Sequence, residues 1–150
     1  MKHGRTLPTL FTLAVTTAAA FATTVCAAAQ PVPAADARET VWSAYVASKF
    51  EDSGDKCVCE YKLSEDSRID IYQHHGMGGY TAWEVERAAK FKEAIGQALF
   101  YQLMTNASEG GIVLMALGDP SDKLDILRCK LVCQKVGLRL LVVDKSGALR

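Results

Sequence analysis

The sequence has no excess of charge of either sign, because 17 Lys and Arg residues balance 17 Asp and Glu residues in 150. A protein that binds nucleic acid tightly and nonspecifically normally carries a basic field, so this balance argues against that class. An enzyme that uses a few local cations and a metal ion is still compatible with it. The sequence also lacks internal repeats, and its length after the N-terminal segment suffices for one compact domain only.

Several catalytic signatures are absent as well. The sequence shows no Ser/His/Asp set, no Gly-rich loop that would hold a phosphate in front of a helix, and no nucleophile elbow. Hydrolases with a serine nucleophile and P-loop enzymes therefore have no support from the sequence.

The N-terminal segment has the pattern of a secretory signal. Lys2 and Arg5 precede a long uncharged run that ends in small residues, which predicts a signal peptide over 1–29, cleaved after Ala29. The Pro-containing stretch 30–37 is predicted to be a flexible leader, and 38–150 the domain. We expect an exported protein, periplasmic or secreted, with no stable membrane insertion after cleavage. An uncleaved anchor is the alternative, because the run is long enough to span a bilayer.

Hydrophobic periodicity predicts an α/β domain with a small mixed sheet. A helix is followed by a three-strand antiparallel meander, then helix, strand, helix and strand, and the last crossover favours parallel pairing. The predicted ranges are 37–50 for the first helix, 56–63, 68–72 and 80–87 for the meander, 88–105 for the second helix, 112–117 for the next strand, about 121–136 for the third helix and 138–143 for the last strand.

Acidic residues concentrate on the second hairpin of this meander. Glu84 and Glu86 are two apart on one strand and so share a face. A hairpin centred on Met77 sets Asp70 opposite Glu84, and like charges in that position repel unless a cation lies between them. A divalent cation, Mg²⁺ or Mn²⁺, fits carboxylate ligands. The alternative is a solvated strand face on which Glu86 pairs with Arg68.

The segments R-I-D-I at 68–71, A-W-E-V-E at 82–86 and K-E-A-I-G-Q-A-L-F-Y at 92–101 follow an opening helix. In this order they resemble the PD-(D/E)XK nuclease superfamily over nearly the whole domain, which implies a restriction-endonuclease-like fold. The resemblance implies that Asp70 and Glu84 are catalytic metal ligands, together with the carbonyl of Val85. It further implies that Gln97 and Tyr101, four apart on one helix, position the substrate backbone.

One position departs from the superfamily pattern. The usual catalytic lysine is replaced by Glu86, which could act as a base or bind a second metal ion. The missing cation could come from Lys90 or Lys92 on the following helix, and Glu39 on the opening helix is a further candidate for the site. The resemblance therefore implies a metal-dependent nuclease acting on DNA or RNA, or alternatively a noncatalytic binding or interaction module on a degenerate nuclease fold.

Four cysteines lie in the predicted domain: Cys57, Cys59, Cys129 and Cys133. The first two share a strand face and the last two share a helix face. An even number in an exported chain favours disulfides, which we predict to join strand and helix. A four-thiolate Zn²⁺ site is the alternative, although the spacings are not typical of one.

Overall fold

The computed structural model describes residues 30–150. The predicted signal peptide and Cys26 lie outside the described residues. Between residues 30 and 150, no helix combines the length and the apolar character needed to cross a bilayer. Residues 30–37 precede the first helix without regular secondary structure, and the carbonyl of Ala35 accepts a hydrogen bond from Arg87 Nη2 at 3.2 Å.

The described chain forms three α-helices and five strands in the predicted order. A 3-10 turn at Ala88–Lys90 leads into the second helix. The bounds, in chain order, are α1 Glu39–Asp52, β1 Lys56–Lys62, β2 Arg68–His74, β3 Tyr80–Arg87, α2 Phe91–Met104, β4 Glu109–Ala116, α3 Asp122–Val136 and β5 Arg139–Asp144.

The strands form one mixed sheet in the order β1-β2-β3-β4-β5. The first three strands pair antiparallel, whereas β4 lies parallel to β3 and β5 parallel to β4. This confirms the predicted meander, the parallel crossover and the α/β class, and it is consistent with a restriction-endonuclease-like fold. The predicted hairpin register also holds, since Ile71 pairs with Trp83 and Gln73 with Thr81.

One side of the sheet is covered by α1. Its buried face carries Trp42, Tyr45, Val46 and Phe50, as the spacing of these apolar residues predicts. The Phe50 ring stacks on Trp83 with centroids 5.3 Å apart. This packing ties the start of the domain to the centre of β3.

The other side is covered by α2 and α3. Phe91, Ala94 and Ala98 of α2 pack with Cys129 and Cys133 of α3 over β4. Helical periodicity from Phe91 through Ile95 and Leu99 predicts that Leu103 also lies on the packed side of α2, but this side chain is 82% exposed. The buried side of the helix contains Ala94, Ala98 and Tyr101 instead. Apolar residues thus occupy more of the circumference of α2 than the part that is buried.

Strand β4 begins earlier than predicted. It starts at Glu109 and includes Gly110 and Gly111, whereas the apolar run predicts a start at residue 112. A Cβ on Gly111 would lie 2.3 Å from Trp83 Cε3, so only glycine lets this indole ring lie flat against the neighbouring strand. Gly111 is therefore a strand residue required by a tryptophan on the adjacent strand, whereas a Cβ on Gly110 would lie 2.7 Å from Leu138 Cδ2.

Replacing Gly111 by alanine is expected to lower the free energy of unfolding by about 1–3 kcal/mol, because the added methyl group overpacks against the buried ring. Gly96→Ala is the matched control. It adds the same group to α2 with no heavy atom within 4 Å, and we expect a gain of about 0.5–1 kcal/mol. Urea denaturation of both variants measures the difference, and equal midpoints would contradict the packing argument.

Candidate active site

The regular alternation of β2 is interrupted at Asp70. Ile71 packs with Trp83 in the core beneath α1, whereas Ile69, two residues earlier, packs with Ala82 and Tyr101 on the opposite side. The β1–β2 ladder passes from the pair Cys59 and Ile71 to the pair Tyr61 and Ile69 without pairing Asp70. This local switch of faces frees Asp70 from the ladder.

The residue of β1 at the same level is Glu60, which has a left-handed backbone with φ 52°. Such a conformation is unfavourable for a non-glycine residue and occurs where the ladder is distorted. The charge of Glu60 contributes to raising the pKa of Asp70 and of Glu84. Glu60 therefore belongs to the acidic cluster, although its role was not predicted. Pairing the K-C-V-C-E strand with R-I-D-I in register would have revealed it.

The Asp70 carboxylate is held by the backbone of the neighbouring strand. Asp70 Oδ2 accepts a hydrogen bond from the N–H of Val85 at 2.8 Å. Asp70 therefore does not pair directly with Glu84 as predicted but contacts the next residue, Val85. The β2–β3 ladder ends one pair earlier, at Ile71 and Trp83. Burial raises the pKa of Asp70 to about 6, against the lowering effect of the Val85 N–H. The proposed role of the Val85 carbonyl remains a prediction.

Glu84 is buried, with 6% of its surface exposed, as is Glu86. The Oε2 atom of Glu84 is buried and has no hydrogen-bond partner. Burial, followed by the charges of Asp70 and Glu86, raises the pKa of Glu84 to about 9. A buried carboxylate oxygen without a partner is costly. This unfavourable burial occurs at Glu84, the residue for which the resemblance implies a role as a metal ligand.

Glu86 already has a cation beside it. Lys90 Nζ lies 3.2 Å from Glu86 Oε2 and 3.6 Å from Glu39 Oε1. Partial burial and a hydrogen bond with Glu86 raise the pKa of Glu39, while Lys90 acts against them. Lys90 thus links Glu39 of the opening helix with Glu86 of β3, and the proposed roles of Glu39 and Lys90 in the site remain predictions.

The remaining predicted residues divide into two groups. Tyr101 is buried against Ile69 and Ala82, and burial together with the charge of Glu84 raises its pKa to about 12. Gln97 and Lys92 are exposed on α2, and their proposed roles remain predictions. The alternative pairing of Glu86 with Arg68 is wrong, because Arg68 lies 3.9 Å from Glu60 instead.

The donor set of the cluster fits a hard divalent cation. Asp70 and Glu84 supply carboxylate oxygens, and one of these oxygens is buried without a partner. Within residues 30–150, however, no three acidic, histidine or cysteine side chains converge into a complete metal-binding group. Mg²⁺ commonly keeps several waters and takes one or two carboxylates together with substrate phosphate. A site of that kind would take Asp70 and Glu84 from the protein, and the binding of an ion by these two residues remains a prediction.

A row of aromatic rings lies on the open side of the meander. Tyr61 stacks on Tyr72 with centroids 4.7 Å apart, and Tyr72 stacks on Tyr80 at 5.2 Å. Tyr72 packs beside the group formed by Ile69, Ala82 and Tyr101, which borders Asp70 and Glu84. Tyr61 and Tyr80 are 38% and 36% exposed. The acidic cluster thus has an exposed aromatic surface next to it.

A second polar network holds the β2–β3 hairpin. His75 Nε2 lies 2.8 Å from Thr81 Oγ1, and His75 Nδ1 lies 3.6 Å from Asp55 Oδ2. The order of groups is that of a catalytic triad, but Thr81 is fully buried and cannot reach a substrate. Asp55 also accepts hydrogen bonds from Gly76 N–H and Gln73 Nε2. The network is therefore a structural tie between the hairpin and the loop after α1.

The structure does not contain the predicted strand-to-helix disulfides. All four cysteines of the described chain are free. Cys57 and Cys59 pack against the core beneath α1, whereas Cys129 and Cys133 lie beneath α2 and α3 on the other side of the sheet. The sheet separates the two pairs, and for the same reason the alternative four-thiolate Zn²⁺ site does not form. Sequence spacing showed which thiols share a face but not which side of the sheet each face covers.

No protein-family model matches this chain, and no curated protein matches it either. Among solved structures, the chain is similar to the crystal structure of a repair endonuclease from Pyrococcus abyssi, with 16% sequence identity and a TM-score of 0.39. The match covers 68% of this chain and 44% of that chain, so this chain spans less than half the length of the endonuclease.

Proposed function

We propose that this protein is a metal-dependent phosphodiesterase of the PD-(D/E)XK type, which hydrolyses nucleic acid. The observation that carries the proposal is the buried Glu84 carboxyl group with its unpartnered Oε2 atom, next to Asp70. A cluster of acids at this depth destabilises the fold unless a cation compensates it. Mg²⁺ or Mn²⁺ is the cation that an acidic oxygen donor set selects.

Asp70 and Glu84 would hold the ion. When bound, the ion supplies a Lewis acid that polarises the phosphate and lowers the pKa of water. The N–H of Val85 keeps Asp70 oriented. Glu86 or Glu39 would accept the proton of the attacking water. Lys90, which lies beside both, neutralises part of the negative charge that would repel a phosphate. The raised pKa of Tyr101 keeps its hydroxyl group protonated and able to donate a hydrogen bond.

The aromatic row supports a nucleic acid as the substrate. Exposed rings beside a phosphate-cleaving site can contact bases and sugars, and such contacts are tolerant of base sequence. The formal net charge of zero means that affinity must come from this surface and from the ion rather than from a basic field. We further propose that the protein acts outside the cytoplasm, as the pattern of residues 1–29 predicts.

The decisive experiment incubates the purified protein with mixed DNA and RNA in Mg²⁺ or Mn²⁺, beside an arm that contains EDTA and an arm with a simple aryl phosphodiester. We expect cleavage of a nucleic acid that stops in EDTA. If a folded protein neither cleaves any of these substrates nor binds Mn²⁺ in calorimetry, the enzyme proposal fails. The noncatalytic module, with Glu86 merely neutralised by Lys90, then takes its place.

The role of Lys90 can be separated from that of Lys92. Lys90→Met is expected to lower the cleavage rate at least about tenfold, because it leaves Glu86 and Glu39 without their cation. Lys92→Met removes an exposed lysine from the same helix and is expected to leave the rate within about twofold of wild type. Equal losses in both variants would show that Lys90 acts only as part of the general surface charge.

A further inference from the structure

The outward face of α3 carries a stripe of exposed leucines. Leu124, Leu127 and Leu131 are 50%, 53% and 54% exposed, and their spacing of three and four places them on one side of the helix. The buried residues of α3, including Cys129 and Cys133, lie on the opposite side. The stripe therefore lies on the outer ridge of the helix and points away from the sheet.

Cationic side chains flank this stripe on both sides. Helical spacing sets Arg128 and Lys135 along one flank of the leucines, and Lys123 and Lys130 along the other. All four are exposed. The acidic residues of α3, Asp122 and Asp125, are buried on the side that faces the core. Arg128 Nη1 lies 3.3 Å from Asp125 Oδ1, which offsets part of its charge. The exposed surface of α3 is therefore apolar along its centre, with Lys135 on one edge and Lys123 and Lys130 on the other.

The neighbouring helix α2 also exposes apolar side chains. Phe100, Leu103 and Met104 are 45%, 82% and 58% exposed on α2. The two helices pack on the same side of the sheet, and both run from the carboxyl end of one parallel strand towards the start of the next. The two helices together expose seven large apolar side chains, since Val136 at the end of α3 is 40% exposed as well. Soluble monomers rarely expose a patch of this kind without a binding role.

We propose that the outer surface of the α2–α3 layer docks onto an anionic phospholipid bilayer. Leucine, phenylalanine and methionine side chains would enter the boundary between headgroups and acyl chains, while Lys123, Arg128, Lys130 and Lys135 contact lipid phosphates. This docking is independent of the proposed catalytic activity. The protein is held at the membrane surface without crossing it.

The charge pattern selects this occupant over a second copy of the chain. Two α3 helices that met through their leucines would set Lys and Arg of one copy against Lys and Arg of the other, in either orientation. An anionic plane satisfies both the apolar centre and the positive edges.

The test uses the full chain and a fluorescent reporter within the stripe. Leu127→Trp adds an exposed indole to a protein whose own Trp42 and Trp83 are fully buried. We expect its emission to shift to the blue, and to be quenched by brominated lipid, in vesicles of phosphatidylcholine mixed with phosphatidylglycerol. Vesicles of phosphatidylcholine alone should bind about tenfold more weakly, and high salt should reverse the binding. Ser64→Trp, in the exposed turn after β1, is the matched control and should not respond.

Adding Lys130→Glu and Lys135→Glu to the Leu127→Trp variant should remove the response by at least about tenfold, with an unchanged circular dichroism spectrum. The proposal is overturned if the Leu127→Trp emission is unaffected by anionic vesicles, even when the chain sediments with them through residues 1–29. A blue shift that depends on protein concentration in the absence of lipid would assign the surface to self-association instead. A blue shift seen only with an added acidic peptide would assign it to a protein partner.

Discussion

Replacing Asp70 by asparagine is expected to lower the rate of metal-dependent cleavage at least about hundredfold, because the substitution removes one of the two carboxylates that would hold the ion. Asparagine keeps the size of the side chain and can still accept the hydrogen bond from Val85 N–H. The fold should therefore survive, and the burial of an uncharged group relieves repulsion with Glu84. Rates of nucleic-acid cleavage and Mn²⁺ affinity by calorimetry measure the effect.

Asp66→Asn is the matched control for this variant. Asp66 is exposed in the turn between β1 and β2, only a few residues away, and the substitution makes the same change of charge. We expect wild-type cleavage and wild-type Mn²⁺ affinity from it. If Asp66→Asn and Asp70→Asn lose activity equally, net charge and not a metal-holding carboxylate explains the loss. If Asp70→Asn cleaves at the wild-type rate, Asp70 is not part of the active site.

The stability of the metal-free protein is expected to fall as the pH rises. Glu84 has a pKa of about 9 in the folded chain against an ordinary value of 4.5, so the folded state holds this proton longer than the unfolded state. The stabilising contribution is complete below about pH 4.5 and is lost progressively up to about pH 9. Asp70, with its pKa raised to about 6, adds to the same slope in the lower part of that window.

Glu84→Gln is expected to remove most of this slope. At pH 8 the free energy of unfolding of the variant should exceed that of the wild type by about 2 kcal/mol. Between the unfolded and folded pKa values the stability can change by at most ~1.4 kcal/mol per pH unit, and water that reaches the folded site reduces this change. Saturating Mn²⁺ should stabilise the wild type at this pH and leave the variant unchanged. Urea denaturation between pH 5 and pH 9 provides the measurement, with Glu93→Gln on the exposed side of α2 as the control. A wild-type stability independent of pH would contradict the burial of an ionisable Glu84.

Substitutions in the acidic cluster are thus expected to lower the cleavage rate, as in Asp70→Asn, and to raise the stability of the metal-free protein, as in Glu84→Gln. Active sites commonly contain groups that lower the stability of the fold but are needed for activity. An acidic cluster that destabilises the metal-free protein has this property. A variant at Glu84 that is both more stable and inactive would join the two observations. A variant that is more stable and fully active would identify the burial of Glu84 as a structural accident.

Much of the local structure follows from the sequence because the signals are local. The alternation around Met77 and the flanking glycines predict the β2–β3 register, which holds from Ile71 to His74. Gly137 adopts φ 75° and ends α3, as its position after the apolar pattern predicts. Asp70 lies near enough to Glu84 for its charge to raise the pKa of Glu84, because a hairpin joins their strands, although the two residues do not form the predicted ladder pair. In each case the residues that decide the outcome are near neighbours in the chain.

The order of elements, the hairpin register and the position of Asp70 and Glu84 on adjacent strands can be read from the amino-acid sequence, since each depends on periodicity and short-range turns. The side of the sheet that each face covers cannot be read from it and is known from the fold alone. That choice separates Cys57 from Cys129, turns Leu103 outward, and brings Glu60 and Lys90 to the acidic cluster. The physical reason is that periodicity defines which residues share a face, whereas the partner of that face is set by packing between elements distant in the chain.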